Sequence, residues 1–247
     1  MPAKSASTRA ATAVIGPDAL AYLRALARHN NREWFTANRP RYEQSLRKPM
    51  AALVEELDVR LASIAPEIVG DPRRSLFRIH RDVRFSRDKS PYKTNAGCWF
   101  YHQDAGRGVG QDAEGGAGYY LHLEPAGCFV AGGIWMPASG SLAKLRAALA
   151  DNPAGFAKIV RAPAFRRRYG RLSEEGMLKR LPRGYAPGHP AEEWLRYKSF
   201  IVSRPLSPAM VTSPRLVSML AADFRALRPF VRWLNTALGL RSKVRRY

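Results

Sequence analysis

Apolar residues recur every three or four positions toward both ends of the chain and alternate with polar ones through its middle, which predicts helices flanking a sheet. Leu20, Leu23 and Leu26 fall on one face of a helix opened by Gly16-Pro17-Asp18, with Asp18 placed to cap it. His29-Asn30-Asn31-Arg32-Glu33-Trp34-Phe35 breaks that helix and begins a short one, capped by Asn30 or Asn31. The spacing of Tyr42, Leu46, Met50, Leu53, Leu57, Leu61 and Ile64 predicts a longer helix, kinked or broken at Pro49.

A loop at residues 66–72 ends the helical pattern. Four strands are then predicted, at residues 76–85, 94–102, 119–124 and 128–135, with a final short one at 199–203. Pro125-Ala126-Gly127 reads as a hairpin turn, and Gly-rich residues 103–118 as a mobile excursion between strands. Gly106-Arg107-Gly108-Val109-Gly110 lacks a following helix pattern, so it is no dinucleotide fingerprint. Helices return at Ser139 or Ser141, at Asn152-Pro153, over residues 191–197 and from Ser213-Pro214, where Leu216, Leu220, Phe224, Leu227 and Val231 form a long stripe. The expected fold class is α+β, a central antiparallel sheet of about four to five strands with helical N-terminal and C-terminal parts packed on it. One domain spans residues 16–240, between a disordered tail at 1–15 and a basic tail at 241–247.

At 247 residues and 46% hydrophobic content the chain can bury a substantial core, and no apolar run is long enough to cross a bilayer. Residues 1–13 lack the apolar centre of a secretory signal, and Cys98 and Cys128 stand apart from any metal-cluster spacing, so a cytoplasmic protein with free thiols is expected. The formal charge of +21 attracts phosphates and makes nucleic acid an alternative partner. Of the 41 basic residues 32 are Arg, alongside abundant Ala and Pro, as GC-rich coding produces, so the charge alone does not decide the partner. Arg166-Arg167-Arg168, Arg171 and the C-terminal bases are unspecific signals of the same kind.

Candidate chemistry concentrates in residues 77–93. Read as a strand, this segment puts Arg78, His80, Asp82 and Arg84 on one face and Phe77, Ile79, Val83 and Phe85, with Arg81, on the other. The following turn adds Ser86, Arg87, Asp88, Lys89, Tyr92 and Lys93. On the third strand Tyr120, His122 and Glu124 share a face, and the two polar faces would form one site if their strands were neighbours. Three readings follow. In the first, Arg78, Arg84, Arg87, Lys89, Tyr92, Lys93 and Tyr120 bind a small anionic, phosphorylated ligand, while His80 or His122 with Asp82 or Glu124 handles protons. In the second the histidines and carboxylates hold a metal, against which the arginines count. In the third the groups are a structural network that binds nothing. The first is preferred, with no metal, cofactor or reaction assigned. Trp34-Phe35 and Trp99-Phe100-Tyr101 are read as core before base-stacking surfaces, and Gly132-Gly133 before Ile134-Trp135 permits close approach of a ligand or helix. No P-loop, nucleophile elbow, HExxH or CxxC occurs.

Residues 29–35 (HNNREWF), 81–93 (RDVRFSRDKSPYK), 118–125 (GYYLHLEP) and 132–137 (GGIWMP), with Pro182-Arg183-Gly184-Tyr185 and Lys198-Ser199-Phe200, together resemble the DUF2461 family. Arg87 stands where that family often has Lys. The resemblance covers almost all of the chain after its N-terminal tail and implies that these segments share a single domain. The family's members are uncharacterised, so it implies no reaction, cofactor or catalytic residue, and its motifs are not those of a known nucleic-acid-binding module.

Overall fold

The computed structural model describes residues 14–84, 87–108 and 114–242. Residues 1–13 of the tail expected at 1–15, Phe85 and Ser86 of the loop, residues 109–113 of the Gly-rich excursion and residues 243–247 lie outside the described residues, whereas Ile15 is buried in the core.

The N-terminal helices follow from local signals, with one reassignment. Helix α1 (Pro17–Arg28) buries Leu20, Leu23 and Leu26, but its N-cap is Gly16, which offers no side chain. Asp18 accepts instead from Ser45 Oγ at 2.6 Å and pairs with Arg41, tying α1 to the next helices. Asn31 caps α2 (Arg32–Ala37) by accepting from the Trp34 N–H at 2.9 Å. Helix α3 (Arg39–Tyr42) runs into a π-helical turn (Glu43–Arg47) and then α4 (Lys48–Ile64), which begins at Lys48-Pro49. The wide turn sits where the proline supplies no N–H to the ladder, so the expected break is present.

The sheet has five strands, β1 (Ile68–Val69), β2 (Ala96–His102), β3 (Gly118–Leu123), β4 (Cys128–Ile134) and β5 (Phe200–Leu206), in that spatial order and antiparallel throughout. Helices α5 (Ser139–Asp151), α6 (Pro153–Val160), α7 (Pro163–Tyr169) and α8 (Glu192–Leu195) connect β4 to β5. Asn152 caps α6, whereas α5 starts after Ala138 with no side-chain cap from Ser139 or Ser141. After α9 (Pro208–Val211), the 22-residue α10 (Leu216–Ala237) lays its apolar stripe across the sheet. Phe224 stacks on Tyr119 with ring centroids 4.5 Å apart, and Leu227 fills the space that a side chain at Gly132 would take. The fold is α+β, as the hydrophobic pattern predicts. Among the described residues no helix is long and apolar enough to cross a membrane.

Among the described residues, the strand expected at residues 76–85 does not form. Residues 76–84 form two isolated bridges, Leu76 to Cys98 of β2 and His80 to Tyr92, which lies outside the sheet. Between those bridges the chain takes four steps on one side and six on the other, so Thr94 and Asn95 bulge out and no continuous ladder forms. The inside–outside alternation survives: Ile79 is buried, Phe77, Arg81 and Val83 are half-buried, and Arg78, His80, Asp82 and Arg84 are exposed. The strand β1, only two residues long, lies inside the segment read as a loop.

Candidate functional site

The face of the sheet turned away from α10 is built from the alternate positions of four strands. Trp99, Tyr120, Ala131 and Ser203 stand opposite one another in register, and the next row is Gly97, His122, Phe129 and Pro205. Aromatic rings rise from β2 and β3 while Ala131, Gly133 and Ser203 stay small on β4 and β5. That step in height leaves a concavity of ≈ 440 Å³, with Phe77 on one rim and Trp135 on another. Gly133 adopts φ +130°, and a Cβ there would lie 1.8 Å from the Phe200 carbonyl oxygen, so only glycine fits.

Tyr120, His122 and Glu124 form one hydrogen-bonded chain along β3. The Tyr120 hydroxyl lies 3.0 Å from His122 Nδ1, and His122 Nε2 lies 3.2 Å from the Glu124 carboxylate. A carboxylate only accepts, so Nε2 carries the proton and Nδ1 is left to accept from the phenol. The imidazole is clamped flat on Phe129, with centroids 4.6 Å apart and planes 15° from parallel. Gly97 makes room for the phenol, since a Cβ there would stand 2.5 Å from the Tyr120 oxygen. Burial pushes the Tyr120 pKa well above the ordinary phenol value, which keeps its hydroxyl a donor. This chain can pass a proton between the concavity and His122.

The two polar faces do not merge. Strand β2 lies between β3 and the segment 75–77, so His80 is a full strand further out than adjacency to β3 requires. His80 instead borders a second groove of ≈ 620 Å³ between that segment and α2–α4, where it meets Phe35 edge-on and Tyr92 at 5.2 Å. Asp82 is held by Arg84 through two hydrogen bonds of 3.0 and 2.7 Å, which lower its carboxyl to about 2. Arg81 pairs with Asp88, whose other oxygen caps the Ser90 N–H, and Lys89 donates to the Val83 carbonyl at 3.0 Å. Asp82, Arg84, Arg87, Asp88 and Lys89 are exposed and border neither concavity. Among the described residues no three His, Cys, Asp or Glu side chains gather as metal ligands.

Lys93 and Tyr92 are fixed from below. Asn30 clasps the Tyr92 backbone from both sides, donating to its carbonyl at 2.9 Å and accepting from its N–H at 3.0 Å, while Phe35 stacks on the Tyr92 ring at 4.1 Å. The next residue, Lys93, lies over the Phe77 ring at 5.6 Å, and Arg107 lies over the same ring at 5.1 Å. Burial, then the charges of Arg78, Arg107 and Arg81, push the Lys93 pKa down. Arg78, Lys93 and Arg107 make no ion pair among the described residues. The Arg107 Nε and the Trp99 indole N–H are also buried without a hydrogen-bond acceptor.

Period two in the sequence therefore locates the Tyr120–His122–Glu124 chain, and the basic loop after residue 85 supplies Lys93 near the rim, whereas Arg78 borders the second groove. These signals miss Phe129 and Arg107. Phe129 is identified by its register opposite His122, which needs strand pairing. Arg107 lies in a Gly-rich segment without periodicity.

No curated protein and no solved structure matches this chain. The sequence model of one family, described as a conserved hypothetical protein, matches residues 18–233, and that span contains every element that builds the two concavities. The chain belongs to the DUF2461 family.

Proposed function

We propose that this is a cytoplasmic protein that binds a small anionic, phosphorylated ligand on the open face of its sheet, with Tyr120 and His122 exchanging a proton with it. The observation that carries this reading is the placing of both Lys93 and Arg107 over the Phe77 ring, at the rim of the concavity, with the Arg78 charge near enough to push the Lys93 pKa down further. With 41 bases to 20 acids many cations in this chain lack a partner. Most are spread over the surface, where water screens them. These three are gathered, and Lys93 is half-buried, so their mutual repulsion is a standing cost that a bound phosphate would remove. Arginine supplies the fork and lysine the point charge that phosphate oxygens accept from. Below the rim, Glu124 fixes the His122 tautomer and leaves the phenol of Tyr120 facing the ligand. The free, buried thiols of Cys98 and Cys128 fit a reducing compartment.

Thermal denaturation with inorganic phosphate, pyrophosphate and a sugar phosphate, each against chloride at equal ionic strength, tests the reading. A ligand at a hundred times its Kd raises Tm by about 5–10 °C. Lys93→Met should raise the ligand-free Tm slightly, by relieving the repulsion, and abolish the response to phosphate. A parent protein that phosphate stabilises no more than chloride does, or a Lys93→Met variant that responds like the parent, refutes it.

The second groove favours one other reading, a nucleic-acid backbone lying outside the sheet. Arg39, Arg47, Arg73 and Arg78 border it, and its acid Glu43 is paired with Arg47 at 3.0 Å. Affinity for a single-stranded oligonucleotide that falls steeply with salt, and falls further in Arg39→Ala/Arg73→Ala, is the result that reading requires.

A further inference from the structure

We infer that the phosphorylated ligand carries a flat heteroaromatic ring, as a nucleoside 5′-monophosphate does, and that Trp135 stacks on that ring. This rests on the anion site proposed above and adds what occupies the space beside it. The concavity is walled by Phe77, Trp99, Tyr120, Phe129 and Trp135, whereas its hydroxyl and carboxylate groups are few: Tyr120, Ser173, Ser203 and Glu175. A polyhydroxylated sugar filling that space would bury several hydroxyls without partners, each a penalty. A flat ring needs apolar faces and a few edge contacts, which is what these walls offer.

Trp135 is the second observation. It is 42% exposed, and among the described residues the other exposed large apolar side chains are the aliphatic Val14 and Val59. Neither valine borders the concavity; Trp135 does. The backbone holding it is strained. Met136, immediately after it, has φ +42°, the one positive value at a non-glycine residue in the described chain, and its N–H is anchored on Ser199 Oγ at 2.9 Å. Gly133, two residues before, is at φ +130°. A bulky side chain in the left-handed region persists only where surrounding structure enforces it, and such positions gather at ligand sites. The strain holds an indole at the rim of the concavity when burial in the core would be the lower-energy fate of that side chain.

The rim cations give the ring its orientation. Phe77 carries Lys93 and Arg107 on its ring and meets Tyr120 edge-on at 5.9 Å. A ligand with its phosphate at Phe77 therefore has its remaining length along the aromatic floor toward Trp135. The concavity, at ≈ 440 Å³, falls in the range of about 300–1,000 Å³ common for small-molecule sites, room for a base and ribose.

Isothermal titration of the full chain with adenosine 5′-monophosphate, uridine 5′-monophosphate, ribose 5-phosphate and inorganic phosphate tests this, repeated with Trp135→Ala and Trp135→Phe. At least one nucleotide should bind roughly tenfold or more tighter than ribose 5-phosphate, the return expected of one stacked base. Trp135→Ala should erase that difference while leaving ribose 5-phosphate affinity unchanged, and Trp135→Phe should restore part of it. Equal binding of nucleotide and ribose 5-phosphate, or equal weakening of both in Trp135→Ala, removes the ring and leaves the anion site standing. Binding of no phosphorylated compound at all removes the anion site and this inference with it.

Discussion

Asn30 joins two segments that are distant in sequence, and replacing it should cost more than any other single surface amide in the N-terminal half. Its side chain supplies both hydrogen bonds of the Tyr92 backbone, at 2.9 and 3.0 Å, across 62 residues of chain. Each such bond contributes about 0.5–1.5 kcal/mol, and a buried backbone group left without a partner costs about 1–3 kcal/mol. Tyr92 is 5% exposed beneath the Phe35 ring, so water does not readily replace the lost partner. Asn30→Ala should therefore lose about 3 kcal/mol, a fall in Tm of about 6–12 °C for a domain of this size. Its neighbour is the control. Asn31→Ala removes only the α2 cap, worth about 1 kcal/mol. Asn30→Asp keeps the acceptor, loses the donor and should fall between them. Denaturation by circular dichroism gives the energies, and amide exchange at Arg81 and Lys93, which donate to Pro91 and Ile79, shows where the loss is felt. If Asn30→Ala costs no more than Asn31→Ala, or leaves those two amides as protected as before, the clasp does not hold the segment and the account of Lys93's placement fails.

Two glycines on the open face should separate cleanly. Gly97→Ala meets the movable phenol of Tyr120, so it should cost only about 1 kcal/mol while breaking the Tyr120–His122 hydrogen bond, visible as a displaced His122 Nδ1 resonance by nitrogen-15 NMR at fixed pH. Gly133→Ala drives a Cβ into the fixed Phe200 carbonyl at a φ of +130° and should yield no folded protein; soluble, native-like material would contradict the register of β4 on β5. Asp223 is fully buried and accepts from Arg168 at 2.7 Å, Arg204 at 3.0 Å and the Tyr169 hydroxyl at 3.1 Å, so Asp223→Asn should lose about 3 kcal/mol in urea titration. Hydrogen bonds from Arg41 and Ser45 lower the Asp18 carboxyl from 3.8 to about 2. Its folded pKa is depressed, so its contribution is present above pH 4 and is lost as pH falls toward 2; the urea midpoints of the parent and Asp18→Asn should converge over that window.

The sheet and helices were legible because their signals are local: the stripe of α10, the Asn31 and Asn152 caps, the alternation of β2 to β4. The alternation of residues 76–85 likewise reports correctly which side chains face inward. It does not report whether a partner strand keeps step, and here Thr94 and Asn95 break the register. The same gap explains the single site expected from His80 and His122. Period two puts Tyr120, His122 and Glu124 together because all three ride one strand. Which strand neighbours β3 is a matter of sheet order, and β2 takes the place that residues 76–85 were expected to fill. The bland alternative, a local network, describes the tip of the 81–90 loop, where Asp82 and Asp88 are taken up by Arg84 and Arg81.

The two faces of the sheet treat charge differently, and this separates the rim cluster from the protein's general basicity. On the α10 side the buried acids are matched by arginines: Asp223 by Arg168 and Arg204, and Glu67 by both guanidinium nitrogens that Arg232 turns toward it, at 2.6 and 3.0 Å. Those groups are satisfied within the chain and hold helices to strands. If the excess of arginine were merely compositional, its unmatched members would settle where solvent screens them, because crowding like charges around a half-buried lysine destabilises the fold. Lys93 and Arg107 are instead brought together over one aromatic ring, and the lysine is held there by the Asn30 clasp on its neighbour. That contrast between a face whose buried acids are matched and a rim where cations gather is the physical ground for the proposed anion site.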